Sequence, residues 1–329
     1  MALTVAKIAQ LIDEVSIAAL RSWLKSEGFQ RTASTREQMV KKLDSLLKKG
    51  DLSEQELMNG IINIEEASNK RAFLHQLAAD DQHGHLQNQA AFEKHLHNIG
   101  KTLSKEPKVA PKAPSKSTLV YIHYSPKQIR AKWAETHVRI KFHKASLDYE
   151  EESVTRIVVL VVDVETGFVQ LRYDKPEDQN EHGNSKDGFF LYYRQLASEL
   201  LGVKLEQFET REALRRLIET EPRVVRIRVS SHRSKTDKAV RFVARAAKGD
   251  VRDDPEWKAA HQVGGDSRVY VDQQLHWLPA ASNAKLSREV FTAVDAIPSM
   301  VRLDADCYED EIQYAVSTIR KNQIKASES

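Results

Sequence analysis

The chain has a single cysteine, Cys307, which excludes an intrachain disulfide framework and a cysteine-based zinc cluster. Glycine is scarce as well, at 12 in 329 residues. No Gly-x-x-x-x-Gly-Lys-Ser/Thr, Gly-x-Gly-x-x-Gly, Gly-x-Ser-x-Gly or His-Glu-x-x-His pattern occurs. Phosphate-cradling loops, nucleophile elbows and the helical zinc-protease motif therefore drop out. No apolar run approaches the ~20 residues that span a bilayer, so no membrane partner is expected. Residues Met1 to Ser16 lack a basic region followed by an apolar core, and the expectation is an intracellular protein, in the cytoplasm or nucleoid of a bacterium or the nucleus of a eukaryote.

With 41% hydrophobic and 29% charged residues the composition is that of a globular protein, and the length allows two or three domains. Net charge is only +3, but it is unevenly spread. Residues 1–50 carry nine basic and five acidic side chains, 51–100 three and eight, 101–150 eleven and four, and 201–250 thirteen and seven. Three basic regions thus stand out of a nearly neutral chain.

The first lies in Ser16 to Leu43, which reads as helix, turn, helix. Ser16 can cap a helix with Ile17, Leu20, Trp23 and Leu24 at helical spacing, and Gly28 ends it. Ser34 or Thr35 caps a second helix with Met39, Val40, Leu43, Leu46 and Leu47 as its buried stripe. Arg21, Lys25, Arg31, Arg36, Lys41 and Lys42 occupy the outer face. Leu20, Leu24, Gly28, Phe29, the Arg36-Glu37 pair, Val40 and Leu43 together resemble the SAP motif, a small helix-extended-helix module that binds DNA. The resemblance implies phosphate contacts by Arg21, Lys25, Arg36 and Lys41.

Before this motif, Thr4 caps a short opening helix; after it, Ser53 and Glu56 form a capping box. Apolar spacing then predicts one or two helices carrying Leu57, Ile61, Ile62, Ile64, Ala67, Phe73, Leu74 and Leu77 and ending near Ala79, and a last one over 87–99. His83, His85, His95 and His97 invite a metal reading, but His95 and His97 fall on different helix faces, and ordinary exposed histidines are the reading adopted. Lys101 to Thr118 has five lysines and three prolines without an apolar period, the composition of a basic, extended linker.

From Leu119 the period becomes alternating. Strands are expected at 119–123, 137–143, 154–163 and 167–173, joined too tightly for parallel crossovers. A polar loop over 175–187, helices over 189–202 and 210–220, and a basic hairpin over 223–248 follow. The hairpin holds nine basic residues against Asp237 alone. Alternation sets Val225, Ile227 and Val229 against Arg226 and Arg228, and Val240 and Phe242 against Arg241 and Arg245. Arg233 and Lys235 lie in or beside its turn. Such a hairpin can lie along a nucleic-acid groove with guanidiniums on phosphates. A short helix around Trp257, a strand over 267–277, a hairpin over 288–307 and a helix over 308–321 complete the pattern, with a loose tail at 322–329.

The expected class is α+β: an all-helical domain (1–100), a basic Pro/Lys linker (101–118), a mostly antiparallel sheet domain with helices (119–321) and a flexible tail. That order is similar, in outline only, to the centromere protein N family, whose members bind nucleosomes and partner subunits. The functional expectation is non-catalytic DNA binding through Arg21, Lys25, Arg36, Lys41, Arg226, Arg228, Arg233, Lys235, Arg241 and Arg245, with duplex favoured over single strand or RNA and no cofactor, metal or catalytic residue. Two alternatives remain open. One is an interaction subunit whose charged blocks pair with a protein partner. The other is a metal-dependent nuclease using carboxylates such as Asp163, Glu165, Asp304, Asp306, Glu309 and Asp310.

Overall fold

A computed structural model describes residues 3–13, 15–30, 33–79, 83–112, 114–143, 148–174, 186–233, 239–246, 248–264, 269–296, 298–303 and 306–327. The chain divides into two compact units, Met1–Ser68 with Leu77–Leu205, and Asn69–Gln76 with Glu206–Ser329. Among the described residues there are nine α-helices and eleven strands.

The first unit opens with α1 (Val5–Leu11), α2 (Ile17–Ser26), α3 (Arg36–Lys49) and α4 (Glu54–Ala67). Their ends follow the local chemistry. Ser16 Oγ accepts from the Ala19 N–H, while Thr35 with Gln38 and Ser53 with Glu56 form reciprocal capping boxes. After α2, Gly28 takes φ 85 and the Phe29 N–H returns to the Leu24 carbonyl at 2.8 Å. Leu20, Trp23, Leu24, Met39, Val40 and Leu43 are buried as their spacing requires. Trp23 lies flat on Gly60 of α4, where any Cβ would overlap its indole ring.

The chain then departs from the expected helices. Lys70–Leu77 is a strand, β1, and not a continuation of the helical run. Ser68 ends α4 in an extended conformation and Asn69 takes φ 52, a left-handed turn that stops the helix. Ala72, Phe73, Leu74, His75 and Leu77 are all buried, on both faces of the strand. A strand buried on both faces shows no alternation and reads in sequence like a helix segment.

After α5 (Gln89–Asn98) the first unit builds an antiparallel sheet in the order β2 (Thr118–Tyr124), β3 (Gln128–His143), β4 (Asp148–Asp163), β5 (Phe168–Asp174), with α6 (Lys186–Leu201) following. β3 starts nine residues earlier than the alternation suggested, because Lys132 and Glu135 are buried charges that interrupt the apolar pattern. β2 pairs with β3 only as far as Ala134 and β5 with β4 only from Val158, so beyond these points β3 and β4 run on as a two-stranded ribbon among the described residues.

Among the described residues the segment 101–117 has no regular structure, and it lies within the first unit. It is a strap bound to that unit. The Ser104 N–H donates to the Ile122 carbonyl at 2.6 Å, the Ala110 N–H donates to Glu65 at 3.2 Å, and Lys132 Nζ donates to the Lys108 carbonyl at 2.9 Å. The Thr136 hydroxyl donates to the Pro114 carbonyl at 2.6 Å, Lys112 pairs with Asp13, and Ala110 packs on Ile157, Val159 and Val161.

The second unit continues with β6 (Leu205–Gln207), α7 (Arg211–Thr220), β7 (Val225–Arg233), β8 (Ala239–Val243), α8 (Pro255–Gly264), β9 (Val269–Trp277), β10 (Val290–Ala296), β11 (Ser299–Arg302) and α9 (Glu309–Ser327). Its strand order is β1-β11-β10-β9-β7-β8, with β6 also on β1 and β8 at the end. α7 packs on α9 and on β9. Residues 322–327, expected to be loose, continue α9: the Asn322 amide donates to the Thr318 carbonyl at 3.0 Å and Gln323 accepts from the Ala213 N–H at 3.1 Å. The loop expected over 175–187 lies outside the described residues as far as 185.

Candidate nucleic-acid interface

The ten cations singled out by sequence meet different fates. Arg36 is turned inward, and its guanidinium donates to the carbonyls of Ile12 and, at 3.2 Å, Val15, closing the end of α1. Arg21 is half-buried with Nε 3.3 Å from the Ile17 carbonyl. Lys25 and Lys41 are exposed, Lys25 in the last turn of α2 where the helix dipole favours a cation.

In the hairpin, Val225, Ile227 and Val229 are buried and Arg226 and Arg228 half-buried on the opposite side, the alternation that the sequence predicts. Both arginines are spent on their own chain. Arg226 pairs with Glu289, which also lies 2.5 Å from His276 Nδ1, and Arg228 donates to the carbonyls of Ala244 and, at 2.8 Å, Ala246. Burial holds the His276 imidazole below its ordinary value, with Arg226 and Arg228 acting in the same direction against Glu289. Arg233 and Arg241 are exposed at the end of the sheet, and Arg245 is 79% exposed, 3.5 Å from Asp254 and 4.0 Å from Glu256. Lys235 lies outside the described residues. Of the hairpin arginines singled out by sequence, the exposed ones therefore lie on β8 or beside it, and Arg226 and Arg228, nearer the middle of the sheet, are structural.

The β3–β4 ribbon also carries basic residues, but its register sets Arg139 opposite Glu152 and Lys141 opposite Glu150. Nearby, in the body of the first unit, a second set of charges is fully interior. Lys132, 0% exposed, reaches Glu65 at 3.0 Å and Glu66 at 2.8 Å; Arg130 lies 3.3 Å from Glu66, which also accepts from the Tyr121 hydroxyl at 2.7 Å. Burial pushes the Glu65 carboxyl up against the downward pull of Lys132. Glu135 accepts from Tyr193 at 2.7 Å and lies 3.4 Å from Arg156, and burial drives the Tyr193 hydroxyl far above its ordinary range. These groups are paired with one another.

The histidines and carboxylates considered for metal chemistry also have local work. His85 Nε2 lies 2.7 Å from the Leu201 carbonyl and His95 Nε2 3.1 Å from that of Leu200, so the two imidazoles cover the end of α6. Asp163 accepts from the Thr166 N–H at 3.0 Å and shapes a turn with Glu165, Glu309 accepts from Gln313, and Asp304 lies outside the described residues. On the sheet of the second unit Asp272 and Asp295 sit directly across from each other and share Arg302, at 3.0 and 3.1 Å. Burial, with Asp272 opposite, pushes the Asp295 carboxyl up to about 6 against the pull of Arg302. Among the described residues no three His, Cys, Asp or Glu side chains converge on a point that could hold a metal ion, and no helix is long and apolar enough to cross a membrane. No protein-family model matches the chain, and no curated protein matches it in sequence.

Proposed function

We propose that the protein binds duplex DNA without catalysing a reaction, by phosphate contacts from exposed cations. The observation that carries this reading is that Arg233 at the end of β7, Arg241 on the edge strand β8 and Arg245 just beyond it are all exposed. Lys25 and Lys41 of the SAP-like helices are the corresponding exposed groups of the first unit. Arginine on phosphate is charge-assisted and bidentate, so a few such groups give useful affinity, but contacts of this kind position a protein and carry little base information. The half-buried Arg36, Arg226 and Arg228 hold the scaffold that presents the others. The reading places the protein inside the cell, where DNA is.

A titration of labelled duplex, single-stranded DNA and RNA against salt tests this. The expected result is tightest binding to duplex, with three hairpin contacts contributing a log-log slope of roughly −2.7. Replacing Arg241 and Arg245 by Glu is expected to weaken binding at least tenfold while the unfolding midpoint stays in place. Flat, weak curves on all three ligands would overturn the reading. One observation favours the alternative of a protein partner: Val240 and Val243, 40% and 49% exposed, sit on the edge strand β8. An exposed edge with apolar side chains can accept an added strand. Salt-resistant association with a protein and no DNA binding is the result that reading expects.

A further inference from the structure

His261 of α8 is held at both ring nitrogens by groups from different elements. Its Nδ1 lies 2.9 Å from the Trp257 carbonyl and its Nε2 lies 2.9 Å from the Tyr270 hydroxyl of β9. That hydroxyl donates in turn to Glu219 of α7 at 3.1 Å. A carbonyl oxygen can only accept, so Nδ1 must carry a hydrogen. Tyr270 has one hydrogen to give. If it goes to the Glu219 carboxylate, the contact with Nε2 needs a second hydrogen from the imidazole. If it goes to Nε2, the contact with Glu219 needs a protonated carboxyl. Either way the chain of bonds holds one proton more than a neutral imidazole beside an ionised glutamate.

Two further contacts place that proton on the histidine. The imidazole stacks on the Trp257 indole with centroids 3.4 Å apart and planes 19° from parallel, a geometry that favours a cation over the ring face. Glu219 also forms an ion pair with Arg215 at 3.5 Å. A further titratable neighbour is His232 of β7, 5.6 Å away and edge-on to His261, with Phe242 of β8 stacked on His232. A charge on His232 would oppose one on His261, so the two rings do not both carry a proton comfortably.

We infer that His261 is a protonation latch: as an imidazolium it ties α8 to α7 and β9, and on losing its proton it leaves the Tyr270 hydroxyl one hydrogen for two acceptors, so that either the bond to Nε2 or the bond to Glu219 is lost together with the cation–ring contact, and α8 is held less firmly. This does not rest on DNA binding. The sign follows from linkage. A histidine whose folded value is raised contributes stability that is complete below its unfolded value, near 6.5, and is lost as pH rises through the folded value.

Histidine ring resonances followed by NMR against pH in the full chain test the latch. His261 is expected to titrate above the ordinary value, as a neighbouring carboxylate and hydrogen bonding to the charged form produce. Tyr270→Phe, which keeps the ring, and Glu219→Gln are each expected to bring it back toward that value, and His261→Gln is expected to flatten the fall of the unfolding midpoint between pH 6 and 8. A His261 that titrates at or below the ordinary value, or is unmoved by Tyr270→Phe, overturns the proposal. So does a His261→Gln variant whose pH profile matches the parent's. Should His261→Gln fail to fold, the Tyr270→Phe titration alone decides.

Discussion

Lys132 and Arg241 are both strand cations, and the difference between their surroundings separates scaffold from surface. Lys132 is wholly buried between Glu65, Glu66 and the Lys108 carbonyl, whereas Arg241 is exposed on an edge strand. An interior charge with its partners in place fixes geometry and is expensive to disturb; an exposed one adds little to stability and is available to a ligand. Charge counted along the sequence cannot distinguish the two. Basic blocks of similar size serve as a core network in one unit and as a rim in the other.

The sharpest way to break that comparison is to remove one partner of the interior set. Lys132→Met is expected to cost about 3–5 kcal/mol, because it takes the buried cation away from Glu65 and leaves the adjacent Glu66 to Arg130; chemical denaturation measures it. Gly60→Val drives a side chain into the Trp23 indole and is expected to cost about 1–3 kcal/mol by the same assay, more if the helices cannot shift. Thr35→Ala removes one half of a capping box and is expected to cost about 1 kcal/mol. On the partly exposed side, the Asp272–Asp295 pair gives a pH signature. Since the folded Asp295 titrates near 6, above its unfolded value, its contribution to stability is complete below the unfolded value and declines as pH rises through about 6. Asp295→Asn is expected to flatten that part of the melting-temperature profile. Smallest of all for stability, and largest for DNA affinity, is the Arg241 and Arg245 charge reversal described above.

What the sequence made legible was what local chemistry decides. Ser16, Thr35 and Ser53 cap the helices they were expected to cap, Gly28 ends α2, and the alternation of Val225, Ile227 and Val229 with Arg226 and Arg228 gives both the strand and its buried face. What it hid was settled by distant partners. Nothing near Arg36 announces that the carbonyls of Ile12 and Val15 will take its guanidinium, and nothing in residues 101–118 announces that Glu65 and Lys132 will bind its backbone. β1 was unreadable for a related reason, being buried on both faces. The His261 contacts join three elements, and only the Trp257–His261 spacing of one helical turn hinted at them.

The position of β1 has a consequence for how the protein is made. Phe73 pairs with Met300, Ala72 with Val301 and Arg71 with Arg302. On a ribosome β1 emerges early and waits for nearly the whole of translation before β11, its partner along one edge, leaves the exit tunnel. During that interval an apolar segment with backbone groups unpaired along that edge is a natural binding site for a chaperone. A chain stopped before residue 299 lacks β11 and leaves this edge of β1 without its partner. Such fragments are expected to aggregate even where every residue of the first unit is present.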